Sequence, residues 1–117
     1  MLFPIRRIDK PWGYELVFAH TDRYVGKILH VNAGHALSLQ YHEVKDETLF
    51  MRDGEVELLV EEDGQMVTRI LKPGDSYRIQ AFTKHRMIAG ENGCDIIEVS
   101  TPELDDVVRL EDRYGRT

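Results

Sequence analysis

Val56, Leu58 and Val60 alternate with Glu55, Glu57 and Glu61, the period-two pattern of a strand with one buried face. Further runs rich in β-forming residues lie at 15–18, 24–31, 36–42, 48–51, 66–71, 76–79, 85–88 and 95–99. Turn chemistry separates them. His20-Thr21-Asp22-Arg23 and Asn32-Ala33-Gly34 are polar breaks, and Asp53-Gly54 ends another run. Asp63-Gly64 between two strand-like runs predicts a hairpin. In Lys72-Pro73-Gly74-Asp75, Pro presets φ and Gly accepts a positive φ. Many short strands spaced about 8–12 residues apart predict an all-β sandwich or barrel. Residues 103–112, following Thr101-Pro102, are expected as a short helix or tail.

Length and charge narrow this picture. The 117 residues amount to one domain, 1–117, with 42% hydrophobic and 31% charged residues, the balance of a globular protein. No apolar run approaches the roughly 20 residues of a membrane span. The N-terminal stretch lacks a signal-peptide pattern, and Cys94 is the single cysteine; a cytoplasmic location is expected. The net charge of −6 argues against nucleic acid and anionic membranes as partners. A phosphorylated ligand would need a local cluster of Arg and Lys.

The run Ser38-Leu39-Gln40-Tyr41-His42 carries candidate chemistry. Residues two apart on a strand share a face, so Ser38, Gln40 and His42 are expected on one face and Leu37, Leu39 and Tyr41 on the other. A turn at 43–46 followed by a hairpin would set Glu47 beside His42, and His85 opens a later strand. One amide oxygen, one carboxylate and two imidazoles make a mixed N/O donor set. It suits one divalent ion: zinc, iron, manganese, nickel or cobalt.

The spacing of these residues is ordered. Gly34 is followed by Gln40, His42, Glu47 and Gly54, and Gly74 precedes His85 by eleven positions. These two blocks resemble the two motifs of the cupins, with Gln40 where many cupins carry a first histidine. Gln80, Phe82 and Ala89 stand where proline, glycine and asparagine are usual in the second motif. A narrower resemblance rests on Lys10-Pro11-Trp12-Gly13-Tyr14-Glu15, Leu37-Ser38-Leu39-Gln40, His42, Glu47, His85-Arg86, Ile97-Glu98-Val99 and the closing 105–116 block, DDVVRLEDRYGR. Together these look like the C-terminal cupin domain of type II mannose-6-phosphate isomerases, often fused to a mannose-1-phosphate guanylyltransferase.

The resemblance implies a double-stranded β-helix (jelly-roll) barrel and a carbohydrate-metabolism enzyme. It implies a metal at Gln40, His42, Glu47 and His85, with zinc expected first. The implied reaction is aldose–ketose isomerisation of a sugar phosphate, in which the ion polarises the carbonyl and stabilises the enediolate. Lys45 or Lys27 would move the proton between C1 and C2 if burial or a nearby cation lowered its pKa. Arg109 and Arg113 would hold the phosphate. A homodimer is expected. Guanylyl transfer is not implied, since no nucleotidyltransferase domain precedes the barrel in this sequence.

Plainer roles compete. Arg109, Arg113 and Arg116 are surrounded by Asp105, Asp106, Glu111 and Asp112 and could simply pair with them; for Arg116 that reading prevails. Lys45 could be a solvated turn residue. Lys27 is in register with Val25 and Leu29, so it is expected to face the interior and to need a partner. Trp12 is expected to pack on the barrel, and His20, His30 and His35 match no ligand position. Two rival functions remain: a cupin that binds a sugar or metabolite without turnover, and a metal-dependent oxygenase.

Overall fold

A computed structural model describes residues 1–117 as nine strands with no helix. In chain order they are β1 (Arg6–Lys10), β2 (Gly13–His20), β3 (Val25–Val31), β4 (Leu39–Tyr41), β5 (Glu47–Glu62), β6 (Gln65–Leu71), β7 (Ser76–Ile79), β8 (His85–Ser100) and β9 (Val108–Glu111). All pairings are antiparallel.

Two long strands organise the barrel. β5 and β8 pair along their length, from Glu47 opposite Ser100 to Val60 opposite His85. The register shifts between Met51 and Asp53 and again between Gly54 and Val56. Extra residues at such bulges bend a strand. The first half of β5 and the last half of β8 therefore join β1, β2, β3 and β7. The other halves join β4, β6 and β9. Asp53-Gly54 is thus a bulge inside a continuous strand rather than the turn expected from sequence. Likewise the 85–88 and 95–99 runs are one bent strand.

Gly54 has φ +73, and a Cβ there would sit 2.3 Å from the Gly93 carbonyl oxygen. Both facts demand glycine at the bend. Gly54→Ala is expected to destabilise the fold by at least about 1–3 kcal/mol, the usual cost of a strained backbone. Urea denaturation would check this; an unchanged midpoint would refute it.

The Asp63-Gly64 hairpin forms as expected. Both residues have positive φ (52 and 78), and Glu62 pairs with Gln65 across a two-residue loop. The helix expected at 103–112 does not form. Val108–Glu111 is a strand instead and covers the edge of β4. No strand was expected at Arg6–Lys10 either; that run is mostly charged and lies at the sheet's edge, pairing only with β2.

A single core of 15 buried residues fills the space between the halves, including Trp12, Leu29, Leu49, Met51, Leu58, Ile79, Met87 and Ile96. Each large aliphatic side chain buried there contributes about 1.5–3 kcal/mol. Trp12 packs inward, as expected. Cys94 is buried, and burial pushes its thiol up to about 12, which keeps it protonated at neutral pH.

Candidate metal centre

Glu47 opens β5 and His85 opens β8, on opposite halves of the barrel. His42 lies just beyond β4. Their donor atoms converge: Glu47 Oε1 is 3.5 Å from His42 Nε2 and 3.3 Å from His85 Nε2. All three side chains are buried, with one donor atom of each within 4.8 Å of the others. The structure thus brings together three of the four ligands expected from sequence. The route differs from expectation. β4 and β5 do not form a hairpin, since β4 pairs with β8 and β9. The 43–46 turn crosses between the two halves, and His42 meets Glu47 across the interior.

The second nitrogen of each imidazole is also engaged. His42 Nδ1 donates to the Asp106 carbonyl at 2.5 Å and His85 Nδ1 to the Thr83 carbonyl at 2.9 Å. A carbonyl only accepts, so both Nδ1 atoms carry protons, and in the neutral form each ring turns an Nε2 lone pair toward Glu47. His42 Nε2, His85 Nε2 and Glu47 Oε1 are buried and lack hydrogen-bond partners. Three acceptors facing one another in a dry interior repel unless a cation lies among them. The site therefore fits a divalent ion on its own chemistry.

Gln40 stands directly across the ladder from His85 and lines a cavity together with His42 and Glu47. Its Oε1 accepts from Ser38 Oγ at 3.0 Å. The expected alternation breaks at Leu37, which is buried in the core and also lines this cavity. The cause is that β4 begins only at Leu39.

A chain of opposite charges extends from the donors. Lys45 Nζ lies 3.0 Å from Glu47 Oε2 and 3.0 Å from Glu98 Oε2. Lys27 Nζ lies 4.0 Å from Glu98 and 3.4 Å from Glu15. Lys27 thus faces inward, as its register predicted, and finds carboxylates. Lys45 is buried rather than solvated. Burial alone would lower the Lys45 pKa, but Glu98 and Glu47 outweigh it and hold the ammonium above its ordinary value. Lys45 therefore does not meet the condition set for a base. For Glu47, burial would raise the pKa, but the Lys45 ammonium 3.0 Å away pulls the carboxyl downward. Burial and the charge of Glu47 push Glu98 upward, against Lys45 and Lys27.

The cavity above the donors measures about 290 Å³. Trp12, Leu29, Leu37 and Met87 form an apolar wall. Six cationic side chains line it (Arg6, Lys10, Lys27, Lys45, Arg109, Arg116), against four acidic ones (Glu15, Glu47, Glu98, Asp105). A chain of net charge −6 has thus gathered local positive charge around a hollow. Arg109 donates to the Thr117 carbonyl at 2.9 Å, and its Nε is buried without a partner. Arg116 forks onto Asp112, the pairing that its sequence context suggested. Arg113 is not brought to this cavity; its guanidinium donates to the Gly34 carbonyl on the surface. His20, His30 and His35 contact Arg6, Asp95 and Tyr114, away from the donors.

Sequence reading missed several cavity residues. Glu98 carried a signal, because it shares a strand face with buried Ile96 and Ser100. Arg6 and Lys10 share a face of β1 with Ile8, but a charged edge strand gives little pattern to read.

Several solved structures share this architecture. CapF superimposes with a TM-score of 0.81 at 17% identity, covering 93% of this chain and 34% of that one. Oxalate decarboxylase from Bacillus subtilis gives 0.80 at 16%, covering 91% and 30%. KdgF from Halomonas sp. gives 0.74 at 24%, covering 86% and 88%. The fold is a cupin barrel, with a candidate metal site of His42, Glu47 and His85 in its interior. The family profile described as mannose-6-phosphate isomerase C-terminal matches residues 4–112, and the chain belongs to that family. A mannose-1-phosphate guanylyltransferase of Escherichia coli K12 is 34% identical over 116 residues, covering 95% of this chain and 23% of the relative. The xanthan biosynthesis protein XanB of Xanthomonas campestris pv. campestris is 31% identical, covering 96% and 24%. The chain spans about a quarter of the length of these relatives.

Proposed function

We propose that this cupin domain is a metal-dependent aldose–ketose isomerase that interconverts mannose 6-phosphate and fructose 6-phosphate. One observation carries the reading: unpartnered N and O donors converge beside a cavity lined with excess positive charge. Family membership supports the sugar class. Zinc is the ion proposed first for two imidazoles, a carboxylate and the Gln40 amide. Manganese is a second choice; one fold neighbour, the oxalate decarboxylase, is described as having Mn(II) centres.

A bound divalent ion would supply Lewis acidity toward a sugar carbonyl oxygen. The chain's own residues do the rest. Arg109, a cationic side chain on the cavity lining, would hold the phosphate. Lys45, kept cationic by two carboxylates, donates to negative charge that develops on a sugar oxygen. The proton moved between neighbouring carbons then passes to a cavity carboxylate. Glu98 suits this role, because burial and Glu47 weaken its acidity.

The reading is tested with purified protein, a metal panel and mannose 6-phosphate. Arg109→Ala is expected to raise KM about 10–100-fold, the worth of one charge-assisted hydrogen bond. An unchanged KM would remove Arg109 from the phosphate site. A binding module without turnover is the second reading, favoured by the ion pairing of both buried lysines. Calorimetric binding of the sugar phosphate with no product would select it. Oxygen consumption with ferrous iron would select an oxygenase instead.

A further inference from the structure

The 43–46 turn joins two metal-ligand candidates, His42 and Glu47, and the tail after β8 holds all four of its backbone amides. The Asp106 carboxylate accepts from three successive amides: Glu43 at 3.0 Å, Val44 at 2.8 Å and Lys45 at 2.9 Å. The Asp106 carbonyl accepts from His42 Nδ1 at 2.5 Å. Asp46 N donates to Thr101 Oγ1 at 3.1 Å, and Thr101 N donates back to the Asp46 carbonyl at 3.0 Å. Consecutive backbone N–H groups around an anion form a concave nest. Here the nest is filled from within the chain, some 60 positions further along.

We infer that Asp106 is a positioning residue for the metal centre. Its side chain shapes the turn between the two ligands, and its own carbonyl sets the tautomer and angle of the His42 ring. The inference rests on the metal reading above and adds a device to it. The segment 101–107 acts as a strap laid over the turn. Releasing the Asp106 carboxylate frees three amides and lets the carbonyl drift from Nδ1. His42 can then rotate or take the Nε2–H tautomer, which points a proton at the ion's position. The same strap leads into β9, where Arg109 pairs with Gln40 across the ladder. Metal donors and the cavity-lining arginine are thus aligned by one continuous stretch of tail.

The test uses the full chain with Asp106→Asn and Asp106→Ala. Zinc is titrated by competition with a chromogenic chelator, and imidazole ¹⁵N spectra are recorded on metal-free protein. The expected result is a zinc affinity about 10–100-fold weaker, the scale of lost outer-shell partners. The His42 ring is expected to leave the Nδ1–H tautomer while His85 keeps it. Asparagine retains the shape and one acceptor, so its loss is expected to be the smaller. Zinc affinity within about twofold of wild type, measured where wild type binds, would overturn the inference on the scale of that principle. So would a His42 ring that stays Nδ1–H in Asp106→Ala. If wild type binds no zinc, the metal reading fails, and the spectra still decide the role of Asp106. Amide exchange in wild type guards against misfolded variants: Glu43, Val44 and Lys45 are expected to exchange slowly, and rapid exchange at all three would refute the strap.

Discussion

His42→Ala is expected to remove stable zinc binding and to lower mannose 6-phosphate turnover by about three orders of magnitude. Lewis-acid stabilisation is worth several kcal/mol, and each 1.36 kcal/mol is a factor of ten. His42 Nε2 is buried, lacks a hydrogen-bond partner and lies 3.5 Å from Glu47 Oε1. Its removal leaves Glu47 and His85 facing each other at 3.3 Å with Gln40 as the only further candidate donor nearby. Metal analysis after dialysis and a coupled isomerase assay check both halves. A variant that keeps one zinc per chain would dissolve the proposed centre.

Lys45→Met is expected to be the most destabilising single change in the network. Wild-type Lys45 lies 3.0 Å from both Glu47 and Glu98, all three buried. Methionine fills similar space but leaves two buried carboxylates with no ammonium between them. Breaking a buried pair this way costs about 3–5 kcal/mol. For a domain of this size that lowers Tm by about 12–20 °C. Added zinc is expected to recover part of the loss, because it supplies positive charge at Glu47. The deficit also narrows as pH falls. Glu98 already has a raised folded pKa, so the folded state binds its proton more tightly than the unfolded chain, and stability from this group grows toward acid. Thermal melts with chelator, with zinc and across pH 5–8 are the measurement. A Tm shift under about 3 °C would show that Lys45 does not offset these charges.

The fold was largely legible in the sequence because strands with one buried face leave a period-two imprint. Val56, Leu58 and Val60 are fully buried, and the Asp63-Gly64 turn falls where its chemistry demands. Bends were not legible. Asp53-Gly54 carries turn chemistry, yet the ladder resumes beyond it, because Gly54 and Gly93 approach so closely that one strand continues through. The tail misled for another reason. Thr101-Pro102 suits a helix start, but Asp106 is occupied by the 43–45 amides and Val108–Glu111 by the edge of β4.

The candidate site was half legible. His42, Glu47 and His85 could be picked out by spacing: Glu47 and His85 each open a strand, and His42 directly follows the end of one. Partners of buried charges are harder. Lys27 announced that it needed a carboxylate, but two sit nearby, one from β2 and one from β8. Asp106 looked like a mate for neighbouring arginines. Only the folded chain shows that it serves backbone amides instead.

The bent strands β5 and β8 each run through both halves of the barrel, and their first residues are Glu47 and His85. Neither half can detach without tearing the two strands that present these side chains. Loss of the donor geometry and collapse of the whole shell are therefore one event, and an ion held there would act as a rivet whose release reports on the entire domain.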